Sequence, residues 1–140
     1  MVLKGKIIIF SKENERIFKN SNDKLLVSSI GEEDSRIFLY CSDIFGYGFE
    51  EEDLSLFKKN NIIGVLSSAF APLIFRKLVN YGLYPIKVEK LLSEVKEVDI
   101  KISFEERKVF SSEGFPIFSI EPPDLRLINI IRKGGLLKTI

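Results

Sequence analysis

Phe45-Gly46-Tyr47-Gly48-Phe49-Glu50-Glu51-Glu52-Asp53, followed by Ser68-Ala69-Phe70-Ala71-Pro72 and Asn80-Tyr81-Gly82-Leu83, is the stretch whose reading decides the fold. A Gly-x-Gly turn runs into an acid-rich segment, and residues 50–60 carry a helical pattern in which Leu54 and Phe57 share a face. Acids fill its first turn and Lys58-Lys59 its last, as the helix dipole favours, and Asn60-Asn61 ends it. Residues 62–66 form a continuous apolar run, the mark of a strand covered on both faces. Pro72 is placed at the first position of a second helix carrying Leu73, Phe75, Leu78 and Val79, which ends at Gly82 before a strand at Pro85-Ile86. Strand, helix, strand, helix, strand makes a βαβ-type unit.

Outward from this centre, residues 6–10 read as an opening strand and residues 11–23 as a polar loop. Leu25-Leu26-Val27 and residues 36–41 read as strands of a hairpin around the turn-forming residues 28–35. A third helix is expected over residues 88–95, with Leu91 and Leu92 buried. Residues 98–104, 107–110 and 115–120 alternate as a β-meander. Pro122-Pro123-Asp124 then caps a last helix over residues 125–132, closed by Gly134-Gly135. No repeat, low-complexity segment or linker interrupts this order, so residues 1–140 are expected to form one α/β domain.

Composition limits the chemistry. The 140 residues are 45% hydrophobic and 29% charged, with 21 basic and 20 acidic side chains and a net charge of +1, so no surplus charge draws nucleic acid or a membrane surface. There is no histidine, which removes a Ser-His or Cys-His relay and the commonest zinc ligand. The single cysteine, Cys41, supplies neither an internal disulfide nor the thiolates of an iron–sulfur cluster, and it reads as a small buried hydrophobe. No apolar run is long enough to span a bilayer or to serve as a signal peptide, so a cytoplasmic location is expected.

Gly46 and Gly48 alone are a weak signal, since a tight strand-to-helix turn also needs glycine. Four consecutive acids fit no calcium loop, and their place in a helix's first turn is a sufficient structural explanation. The whole series, however, resembles the swivel domain of the aconitase superfamily, in particular its 3-isopropylmalate dehydratase small-subunit branch. There the loop typically reads Phe-Gly-Cys-Gly-Ser-Ser-Arg-Glu-His-Ala, and the second helix opens with Ser-Phe-Ala-Arg-Ile-Phe. Gly46, Gly48, Glu52, Phe70-Ala71, Arg76, Asn80, Gly82 and Leu83 match; Lys4-Gly5-Lys6, Pro122 and Gly134-Gly135-Leu136 resemble the family's two ends.

The resemblance implies a swivel-domain-like mixed β-sheet or barrel with flanking helices and a C-terminal β-meander. It implies dehydration and rehydration of a hydroxy acid, with a 4Fe-4S cluster in a partner large subunit and no cofactor in this chain. It marks Gly46, Tyr47, Gly48, Glu51, Glu52 and Arg76 as substrate-loop candidates. The family's basic serine falls around Phe49 and Glu50, its carboxylate-clamping arginine at Glu51, its histidine at Asp53, and the arginine opening its second helix at Pro72, so no catalytic residue is assigned. A substrate carboxylate ~4 Å from one loop acid is repelled by ~4 kcal/mol at an effective dielectric of ~20. A helix N-terminus returns only ~0.3–2 kcal/mol. Two readings follow: an impaired hydro-lyase subunit, or a non-catalytic structural or interaction homologue, with a homo-oligomer open to either.

Overall fold

The computed structural model describes residues 1–10 and 36–135. Seven strands close into a barrel: β1 (Val2–Ile9), β2 (Ile37–Phe45), β3 (Ile62–Phe70), β4 (Tyr84–Leu91), β5 (Asp99–Ser103), β6 (Lys108–Ser111) and β7 (Pro116–Glu121), in the order β1-β2-β3-β4-β7-β6-β5. The β1-β2-β3-β4 half is parallel, and β4-β7-β6-β5-β1 closes it antiparallel. Three helices are present among the described residues: α1 (Glu51–Lys59), α2 (Ile74–Asn80) and α3 (Leu125–Arg132). Helix α1 packs on β3, α2 on β3 and β4, and α3 against α2.

Period-two alternation divides the apolar runs between two cores. Ile7, Phe38 and Leu66 turn into one cluster with Ile102, Val109 and Phe118 from the meander strands. Their neighbours Ile8, Ile37, Leu39 and Val65 turn the other way, onto Leu54 and Phe57 of α1 and Leu78 of α2. This double burial is why residues 62–66 show no alternation. Phe38 fits between strands only because Gly5 and Gly64 face it; a Cβ on either would lie 2.9 or 3.0 Å from the ring.

The expected βαβ centre, the meander and the last helix are present. Asp124 caps α3, its Oδ1 accepting from the Leu127 N–H at 3.0 Å. Asn60 ends α1, its side-chain amide donating to the Leu56 carbonyl at 2.8 Å, and Asn61 takes a left-handed φ of 65°. The expected helix over residues 88–95 is absent: β4 runs to Leu91, and residues 92–95 are irregular. Lys87, Glu89 and Lys90 face solvent, Ile86 and Val88 face the core, and Val88 pairs with Ile120, so pairing to β7 overrides the local helical pattern. Leu91 and Leu92, expected to be buried, are exposed.

Pro72 does not open α2. Leu73 follows it at the cap in a left-handed conformation, φ 71°, which excludes a helical turn through Pro72, and the helix begins at Ile74. The strand expected over residues 36–41 pairs in parallel with β1 and β3. The proposed hairpin partner at Leu25-Leu26-Val27 and the loop at 11–23 lie outside the described residues.

Candidate functional site

The loop between β2 and α1 lies at the carboxyl end of the parallel strands, where α/β sheets commonly place their sites. Gly46 (φ 118°) and Gly48 (φ 79°) lie in the region that side chains with a Cβ resist. The Phe49 N–H donates to the Gly46 carbonyl at 3.3 Å, and the Ala71 N–H to the Phe45 carbonyl at 2.7 Å. Gly46 meets α2 so closely that a Cβ there would lie 2.6 Å from Ile74 Cγ1.

Phe49, where the resemblance puts the serine, is 5% exposed. Its ring stacks on Phe45 at 4.7 Å and 21°, meets Phe57 edge-on at 5.5 Å, and lies 5.7 Å from Phe10. The side chain thus belongs to the core between β2 and α1. Asp53, where the resemblance puts the histidine, is also buried, and its Oδ2 accepts from the Glu50 N–H at 2.9 Å. It satisfies one of the otherwise open donors at the start of α1.

The remaining candidates face outward. Tyr47, Glu51 and Glu52 are exposed around the turn, as is Glu50. Glu51 accepts a hydrogen bond from the Tyr81 hydroxyl. Burial first, then the Glu51 charge and that bond, and then Glu52, push the Tyr81 phenol above its ordinary value. Arg76 is exposed on α2, and among the described residues no ion pair joins it to the loop acids. At such exposure each acid repels a carboxylate at ~4 Å by only ~1 kcal/mol. Three of them still match or exceed the contribution of the helix end.

Cys41 and Ser67 are register partners just below the loop. The Ser67 hydroxyl, wholly buried, lies 2.8 Å from the Asp43 carbonyl and 2.7 Å from that of Ala69, bridging the irregularity between Cys41 and Ile44. Burial pushes the Cys41 thiol above its ordinary value, outweighing hydrogen bonds from the Asp43 backbone and Ser67. That is a thiol held neutral in a wall, unsuited to nucleophilic work. Among the described residues no group of three potential metal ligands converges.

Beyond β3 a groove of about 620 Å³ contains Ser68, Phe75, Lys87, Arg107 and Glu121. Sequence reading did not find it, because the chain positions of its members are far apart and only barrel closure joins them. Its charges are matched: Lys87 stands opposite Glu121 in register, and Arg107 lies 3.9 Å from Glu89.

Comparison with known proteins supplies the context. No family model matches the chain. It is 24% identical to 3-isopropylmalate dehydratase small subunit 1 of Archaeoglobus fulgidus over 140 residues, covering 99% of this chain and 86% of that protein. Against the homoaconitase small subunit of Thermus thermophilus, identity is 24% over 80 residues, covering 57% of this chain and 48% of the relative. The solved structure of 3-isopropylmalate dehydratase from Methanocaldococcus jannaschii superposes with a TM-score of 0.76 at 19% identity, over 99% of this chain and 92% of that one.

The chain resembles the aconitase-superfamily swivel domain. The loop that carries the glycine turn joins β2 to α1. Both curated relatives are small subunits of dehydratase-type enzymes. Among the described residues no helix is long and apolar enough to cross a membrane.

Proposed function

We propose that this chain acts as a small-subunit-like swivel domain of a 3-isopropylmalate dehydratase-like hydro-lyase, closing over a separate large subunit, and that it brings no base of its own to the reaction. The observation that carries the second half is the burial of Phe49 among Phe45, Phe10 and Phe57. A position filled by a core ring presents no group to a substrate carbon. The exposed acids beside it oppose the anionic hydroxy acids that such enzymes handle. With one buried cysteine and no histidine, the chain has no donor set for a 4Fe-4S cluster, so the cluster belongs to the partner in this reading.

The test is co-expression with a large subunit bearing three cluster cysteines, followed by an isopropylmalate hydration assay. A stable complex with turnover at background is expected. Glu50→Ser with Glu51→Arg, both at exposed positions, should raise turnover without emptying the core. Full activity of the unaltered pair would refute the loss of the base; no complex would refute the subunit role.

A second reading, a non-catalytic interaction homologue, is favoured by one observation. Tyr47 (61%), Leu73 (72%) and Phe75 (37%) are exposed around the same turn. Large exposed aromatic and aliphatic side chains of this kind suit a protein contact. A homo-oligomer that buries Tyr47 and ignores the large subunit would select it.

A further inference from the structure

The outer wall formed by β1, β5 and β6 carries a feature that neither reading uses. Lys4 of β1 stands directly opposite Lys101 of β5 in the antiparallel register. Lys6, two residues along the same face, stands opposite Asp99, and its N–H donates to the Arg36 carbonyl at 2.8 Å. These side chains border an open trough of about 960 Å³ whose lining holds four cations, Lys4, Lys6, Arg36 and Lys101, against two acids, Asp99 and Glu106. Among the described residues none of the four cations makes an ion pair. Two like charges directly opposite across an antiparallel pair oppose sheet formation. The whole chain is only +1, so this wall concentrates charge that the rest of the molecule balances.

We propose that this trough is a docking surface for an acidic, extended polypeptide segment of another protein, with Lys4 and Lys101 at its centre. Lysines spaced along two strands present separate point charges, suited to carboxylates spread along a chain. The adjoining apolar surface, half-exposed Val2 and part-buried Phe110, fits the side chains between those carboxylates. A single phosphate would need donors converging on one point, but the backbone N–H groups of paired β1 and β5 are directed into the sheet ladder. The trough also lies away from the loop: Arg36 precedes β2 and Gly46 follows it, nine strand residues or about 30 Å apart at ~3.3 Å per residue.

The experiment uses the full chain and a labelled peptide of alternating glutamate and valine, followed by fluorescence anisotropy and amide chemical shifts. Binding at low salt that weakens as salt rises is expected, with shifts confined to β1, β5 and β6. Lys4→Gln with Lys101→Gln should weaken it about tenfold, whereas Glu51→Gln with Glu52→Gln leaves it unchanged. The lysine variant should unfold at the same temperature as the parent or higher, since a repulsion has been removed. Absence of binding at low salt overturns the proposal. So does a drop in unfolding temperature, which would mean that the lysines are neutralised within the chain. Displacement of the peptide by inorganic phosphate alone would assign the trough to a small anion. Low-salt self-association abolished by the Glu51, Glu52 variant would assign it to a second copy.

Discussion

Replacing Phe49 by serine restores the residue type that the family resemblance places there, and the structure predicts that it damages the protein. The ring is 5% exposed and touches three other rings, Phe45 at 4.7 Å, Phe57 at 5.5 Å and Phe10 at 5.7 Å. Truncating a buried phenylalanine to alanine costs ~3–5 kcal/mol through lost transfer and the cavity left behind. Serine adds a hydroxyl that must find a partner in an apolar site, with a penalty of ~1–3 kcal/mol if it finds none. A domain of this size has ~5–15 kcal/mol in total, so the change removes about a fifth of it or more. Urea unfolding followed by far-ultraviolet circular dichroism is the assay. At a slope of ~1–3 kcal/mol per molar urea, the midpoint should fall by ~1 M or more with the slope unchanged. Tyr47→Ala, at an exposed neighbour, should move it by less than ~0.5 kcal/mol. A Phe49→Ser midpoint within that same margin would show that Phe49 does not belong to the core, and the argument against a base at this position would fall with it.

Gly46→Ala should cost more than Gly114→Ala: both have positive φ, worth ~1–3 kcal/mol of strain, but only the first drives a Cβ into Ile74, while nothing lies within 4 Å of the second. Comparing their urea midpoints isolates that clash, and equal costs would refute it. Asp53→Ala should lose ~0.5–2 kcal/mol of stability as the start of α1 loses its acceptor, and Asp53→Asn less, because an amide oxygen still accepts from the Glu50 N–H. Stability should fall as pH rises past 9.0, the ordinary thiol value, because an unfolded Cys41 ionises there while the buried thiol stays neutral. Tyr40 and Tyr84, both raised chiefly by burial, extend the fall above 10.0. Midpoints measured across this range should lose their first decline in Cys41→Ala; an unchanged profile would place the thiol in water.

The parts of this fold that could be read from sequence are those whose cause is local. Alternation over the meander, the Asp124 cap, the acid-to-base gradient of α1 and the two asparagines after it act within a few residues, and each appears where expected. The helix expected over residues 88–95 does not form because residues 88–91 are held as strand by β7, some thirty positions away, although their own apolar spacing suits a helix equally. Barrel closure through β1 and β5 joins segments more than ninety positions apart and leaves no local mark. At the site, the turn was legible from Gly46 and Gly48, but the fate of Phe49 was not. That depends on Phe10 and Phe57, which only the fold brings to it.

The persistence of the glycine turn is therefore a poor reporter of catalysis in this chain. Ile74 packs against Gly46, the aromatic cluster fixes Phe49, the α1 start fixes Asp53, and Tyr81 holds Glu51, so each has a structural cause that needs no substrate. Of the candidate residues, the side chains of Tyr47, Glu52 and Arg76 make no hydrogen bond or ion pair among the described residues. An exposed phenol, a carboxylate and a guanidinium on adjoining elements offer no buried base held against a substrate carbon, as proton abstraction requires. Side chains of this kind suit a contact surface, and that is why a partner, present or absent, decides between the two functional readings.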